Sequence, residues 1–95
     1  MTAYVIDEAT ITDLAQYELY KAAAAPSVAA AGGRYIARGG DVVPLEGGWT
    51  PRRMVIIEFP DLATARRFYD SPAYREAREA RAGAANFRMI AIDGV

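Results

Sequence analysis

Residues 53–59, RMVIIEF, set Val55, Ile57 and Phe59 on one side of a strand and Met54, Ile56 and Glu58 on the other. Successive side chains of a strand point to opposite faces, so this strand is apolar on both. Residues 87–93 repeat the pattern, with Phe87, Met89 and Ala91 opposed to Arg88, Ile90 and Ile92. A sheet with one solvated face alternates apolar and polar residues. These strands therefore call for cover on both sides, and one layer of helices supplies only one. The second face is expected to pack on the same face of another copy, as an isologous two-fold dimer.

The rest of the chain is punctuated clearly. A strand is expected from Tyr4 to Ile11, followed by Thr12 and Asp13 as cap residues and Gln16 as a capping-box partner. Leu14, Tyr17, Ala24 and Val28 then recur at helical spacing; Pro26 predicts a kink or restart, and Gly32-Gly33 a stop. Arg34 to Arg38 reads as a second strand, and the Gly- and Pro-rich stretch 39–51 as its loop to the third, Arg53 to Phe59. Asp61 caps a short helix that turns Leu62, Ala65 and Phe68 or Tyr69 inward. Ser71-Pro72 starts another, whose Ala73, Ala77, Ala80 and Ala84 form a small-residue stripe for close approach to a sheet. Gly83 is a plausible terminator, and Phe87 to Asp93 is the last strand. The order β-α-β-β-α-β, with both helices in two pieces, predicts one α+β, ferredoxin-like domain over residues 1–95. Its four-stranded antiparallel sheet carries the helices on one face.

Composition narrows the chemistry. The 95 residues contain no His and no Cys, which excludes disulfides, thiolate and imidazole metal sites, a Cys nucleophile and a Ser-His-Asp triad. With 11 basic and 12 acidic residues the net charge is -1, against a nucleic-acid partner. No metal and no cofactor is expected, since no hard-metal spacing and no phosphate-loop motif occurs. The opening MTAYVIDEAT lacks a basic segment and does not read as a signal peptide, and no run approaches the about 20 apolar residues of a membrane span. A cytoplasmic protein with no membrane partner is expected.

Arg34, Ile36 and Arg38 are expected on one side of the second strand, near Glu58 on the third. These charges pair structurally at a dimer interface, or Arg34 and Arg38 hold an anion, or they are simply exposed to solvent. Glu58, at the end of an apolar strand, is the candidate general acid or base, with a salt bridge as the alternative. Tyr17, Tyr69 and Tyr74 can line a cleft between helices and sheet, offering apolar area with a hydrogen-bonding handle. Core packing is the alternative for each. Trp49, in the loop, either caps a pocket or docks on the partner chain. Arg78 and Arg81 share a helix side with Tyr74, while the other charges of residues 75–81 form a solvated face.

The combination Gly32-Gly33-Arg34, Arg38-Gly39-Gly40, Glu58-Phe59-Pro60, Phe68-Tyr69 and Ser71-Pro72-Ala73-Tyr74 resembles the domain of unknown function 1330 family over nearly the whole chain. The resemblance implies ferredoxin-like subunits paired into a dimeric α/β barrel. Related barrels include cofactor-free monooxygenases, haem-degrading enzymes, lactone isomerases and small stress proteins. Several of those use a His, which this chain lacks. The sequence reading is thus a homodimeric protein that binds a small anionic or aromatic ligand in a pocket of Tyr17, Arg34, Arg38, Trp49, Glu58, Tyr69 and Tyr74. Isomerase or cofactor-free oxygenase chemistry follows by analogy with the related barrels; a non-catalytic interaction module is the alternative.

Overall fold

A computed structural model describes residues 1–95. The elements are β1 (Ala3–Ile11), α1 (Leu14–Ala30), β2 (Arg34–Arg38), β3 (Arg53–Phe59), α2 (Leu62–Asp70), α3 (Pro72–Ala80) and β4 (Ala85–Asp93). The strands form one antiparallel sheet in the order β2-β3-β1-β4, which is the ferredoxin-like arrangement. β1 is central, with Asp7 opposite Val55 of β3 and Met89 of β4. Ala3, Val5, Asp7 and Ala9 are buried under the helices; Tyr4, Ile6 and Glu8 lie on the outer face.

Asp13 caps α1 by accepting a hydrogen bond from the Gln16 N–H at 3.1 Å. Gln16 does not close the expected capping box. Its amide instead donates to the carbonyls of Ala80 and Ala82, at 3.1 and 2.8 Å, and so ties the start of α1 to the end of α3. Leu14 is exposed, and the buried face of α1 is Tyr17, Tyr20, Ala24, Ser27 and Val28. Nor does Pro26 split the helix, which runs unbroken from Leu14 to Ala30. Pro26 and Ala22, whose carbonyl would have received the missing N–H bond, both lie on the exposed side, where water serves that carbonyl. Gly32, at φ +81°, ends the helix as expected. Gly33 sits so close to Phe59 that a Cβ would come within 2.6 Å of its ring.

Pro60 follows β3, and Asp61 caps α2 by accepting from the Thr64 N–H at 2.7 Å. Ser71 closes α2 and opens α3: its hydroxyl donates to the Phe68 carbonyl at 2.7 Å and accepts from the Tyr74 N–H at 3.3 Å. α2 lies over β1, β3 and β4, whereas α3 packs chiefly on α1. The alanine stripe therefore serves a helix–helix contact rather than a helix–sheet one, with Ala77 and Ala84 fully buried and Ala73 exposed. An aromatic file of Phe59, Phe68 and Tyr74, with centroids 5.0 and 4.4 Å apart, joins β3 to both helices. Each such ring removed from water contributes roughly 2–3 kcal/mol.

β2 departs from simple alternation. Tyr35 pairs with Ile57, but Ala37 pairs with Ile56 and Arg38 with Val55, so one extra residue sits in β2 at Ile36. This bulge turns Arg38 to the helix face, away from Arg34.

Candidate functional site

The sheet separates the residues singled out by sequence. On the outer face Arg34 pairs with Glu58 at 3.4 Å, an arrangement in which the arginine side chain is 74% exposed. Trp49 docks there too, its indole N–H donating to Glu8 at 2.8 Å, and Glu8 lies 3.7 Å from Arg88. Tyr17 and Tyr74 are buried under the helices, and the β2 bulge places Arg38 with them, its guanidinium 4.3 Å from the Tyr35 ring centroid. Tyr69 is largely exposed at the rim of a cleft. The seven residues do not form one pocket, because four lie on the helix side and Arg34, Trp49 and Glu58 on the other.

The helix side holds a polar cluster centred on Asp7, which sequence reasoning passed over. Asp7 is only 3% exposed, and its Oδ1 has no hydrogen-bond partner. Burial pushes its carboxyl up to about 6, while the charges of Arg53 and Arg81 pull the other way. Around it stand Tyr17, Tyr20, Tyr35 and Tyr74, with Arg38 and Arg53 at one side. The Tyr20 and Tyr74 hydroxyls are 2.8 Å apart, and Tyr17 accepts a bond from Arg53 Nε at 3.0 Å. Burial raises the phenols of Tyr20, Tyr35 and Tyr74 above their ordinary values, so all three remain neutral donors. Gly39, at φ +70°, passes so close to Arg53 that a Cβ would overlap the guanidinium. The space inside the cluster is about 10 Å3, room for at most one water.

Beside this packed cluster an open cleft of about 510 Å3 runs between α2 and β4. Its walls are Val5, Ala65, Phe87, Met89 and Ala91, and its polar groups are Arg66, Tyr69, Asp70 and Arg81. The walls and Asp7 share one sheet surface: Met89 is the cross-strand partner of Asp7, and Val5 is its neighbour on the same face. Arg81 stands at the boundary. Its guanidinium lies 3.8 Å from the Phe87 ring centroid and 5.4 Å from that of Tyr20, and its Nε has no partner. Arg78 covers Tyr69 at 4.0 Å and donates to its carbonyl at 3.2 Å. A neutral-to-anionic carboxyl, neutral phenols and a cationic boundary can move a proton and steady a developing negative charge.

The signal for Asp7 was present in the sequence. Ala3, Val5, Asp7 and Ala9 alternate with larger residues, so Asp7 shares a strand side with three small apolar residues, the side that the helices cover. No cluster of three or more acidic side chains gathers in a way that would hold a metal ion. No helix is long and apolar enough to cross a membrane.

A comparison with protein families matches residues 2–95 to the domain of unknown function DUF1330. No curated protein is detectably similar in sequence. Among solved structures, a protein of unknown function from Rhodopseudomonas palustris superposes with a TM-score of 0.77 at 21% identity, covering 99% of this chain and 82% of that one. A dimeric ferredoxin-like protein of unknown function from Jannaschia sp. CCS1 gives 0.77 at 9% identity, over 99% and 100% of the two chains. SnoaB, a cofactor-independent oxygenase from Streptomyces nogalater, gives 0.67 at 16% identity, over 99% and 93%.

Proposed function

For a chain that belongs to the DUF1330 family, we propose the role of a small-molecule-binding enzyme that works by proton transfer where the Asp7 cluster borders the cleft between α2 and β4, as a homodimer. The observation that carries this reading is Asp7: a buried carboxyl with an unpartnered oxygen, on the same sheet surface as the cleft. A group titrating near 6 is mostly ionised at neutral pH and still basic enough to accept a proton. Arg81, at the boundary, stabilises the anion that proton loss creates on the ligand. Proton abstraction is the chemistry of an isomerase. It also prepares an activated organic substrate for oxygen without a cofactor, and SnoaB is described as a cofactor-independent oxygenase. The open cleft supports a binder over a purely structural interaction module, which would need no such space.

The homodimer follows from the outer sheet face. Ile90 is 62% exposed, Ile36 and Ile92 are about half exposed, and Leu45 in the loop between β2 and β3 is 93% exposed. A second copy of this face covers them, and similar ferredoxin-like structures are described as dimeric. In this reading Arg34, Glu58 and Trp49 belong to the interface and leave proton transfer to Asp7. The protein would act in the cytoplasm.

The test is proton exchange. In D2O, the α-protons of a panel of aryl ketones and β-keto acids are followed by NMR with wild type and Asp7→Asn. Accelerated exchange of at least one compound, lost in Asp7→Asn, is expected. Exchange no faster than in buffer, or undiminished in the variant, would sink the reading.

A further inference from the structure

The cleft between α2 and β4 is lined mostly by hydrophobic residues and carries three charged ones. Its apolar walls come from Val5, Ala65, Met89 and Ala91. Its charged groups are Arg66, Arg81 and Asp70, and none of them takes part in the chain's three ion pairs. Two cations against one carboxylate leave a positive excess in the recess. Arg81 is the better seated of the cations. Its guanidinium carbon lies 3.8 Å from the Phe87 ring centroid, and its Nε is buried with no hydrogen-bond partner. A buried N–H without an acceptor is an incomplete arrangement. Arginine presents its donors as a fixed fork that matches a carboxylate, and a preset fork loses little freedom when the anion arrives. Tyr69, at the rim, adds an aromatic side chain whose backbone carbonyl is fixed by Arg78.

We infer that the cleft takes a small organic carboxylate, a flat apolar body bearing one anionic group, with the anion on Arg81 and the body along Val5, Ala65, Met89 and Ala91. This names the substrate class of the proposed site and rests on that reading of the cleft. A compact polyanion such as phosphate suits the recess less well, since most of its lining residues are hydrophobic and the carboxylate of Asp70 stands among the charged ones. The volume of about 510 Å3 is that of pockets that enclose a ring system. Arg81 then serves two anions, the ligand and Asp7. Occupancy by a carboxylate draws its charge from Asp7 and makes Asp7 the stronger base when substrate is present.

The experiment compares 2-naphthoate with its neutral isostere 2-naphthamide, and with inorganic phosphate, by two-dimensional NMR of the folded protein. Naphthoate is expected to shift the Val5, Met89 and Ala91 amides and to bind at least tenfold more tightly than naphthamide. Arg81→Gln is expected to remove that preference, while Arg81→Lys, which keeps the charge without the fork, retains part of it. Should Arg81→Gln fail to fold, Arg81→Lys and added salt, which weakens only the charged ligand, carry the comparison. Equal binding of naphthoate and naphthamide at the cleft would overturn the anion seat and leave the cleft as a ligand site. Absence of shifts from either compound would overturn both. Phosphate binding more tightly than naphthoate would overturn the assigned class.

Discussion

Replacing Asp7 by Asn should stabilise the protein at neutral pH. In the folded chain the carboxyl is pushed from 3.8 up to about 6 by burial. A raised value means that the folded state holds the proton more tightly than the unfolded one. Folding is therefore unpenalised below about pH 4, loses stability as pH rises through 6, and carries the full penalty above it. At about 1.4 kcal/mol per unit of pKa, the rise of about two units corresponds to roughly 3 kcal/mol. Asn has the shape of the protonated acid and keeps its unpartnered oxygen, so that defect cancels in the comparison. Asp7→Asn should then gain about 3 kcal/mol at pH 8, or roughly 10–20 °C in Tm for a chain of this size, and almost nothing at pH 4. Urea unfolding of both proteins at equal concentration, followed by circular dichroism at the two pH values, measures this. A variant no more stable than wild type at pH 8, or a gain equal at both pH values, would refute the argument. Stability given up at one residue is common at sites that serve an activity.

Other expectations follow from single contacts. Tyr20→Phe removes the hydroxyl 2.8 Å from that of the buried Tyr74, leaves Tyr74 with Arg81 as a polar neighbour, and should lose about 1 kcal/mol in denaturant titrations. Gly33→Ala drives a methyl group into the fully packed Phe59 ring and should lose about 1–3 kcal/mol, read as a lowered Tm. Ile90→Glu, on the outer sheet face, should convert a dimer to a monomer in sedimentation experiments at low micromolar concentration while far-UV circular dichroism is unchanged.

Local signals in the sequence were strong enough to specify the architecture. Asp13, Asp61 and Ser71 each announced a helix start that the backbone bonds to, and Gly32 and Gly83 take the positive φ their positions suggested. The two-sided apolarity of β3 and β4 pointed to the exposed outer face. Three features depended on tertiary context. Pro26 leaves α1 intact because the carbonyl it orphans faces water. Gln16 reaches 64 residues along the chain in preference to its own helix start. The extra residue at Ile36 reverses the side of Arg38, and a bulge in RYIAR has no local mark such as glycine. That reversal dissolves the expected Arg34–Arg38 pair and leaves Arg34 to Glu58 alone. The site itself was legible only in part: Tyr17, Arg38 and Tyr74 sit around the acid, but Asp7 itself was not among the expected site residues. Its burial depends on which face the helices cover, and hence on the register of β1 with both neighbours.

The proposed chemistry turns on one proton. Titration of the Asp7 side-chain carboxyl by carbon-13 NMR, from pH 3 to 8, with Asp7→Asn to assign the resonance, tests it directly. A midpoint near 6 is predicted. A midpoint near 4, the ordinary value of an aspartate in water, would contradict the buried, proton-active carboxyl on which the proposed chemistry rests.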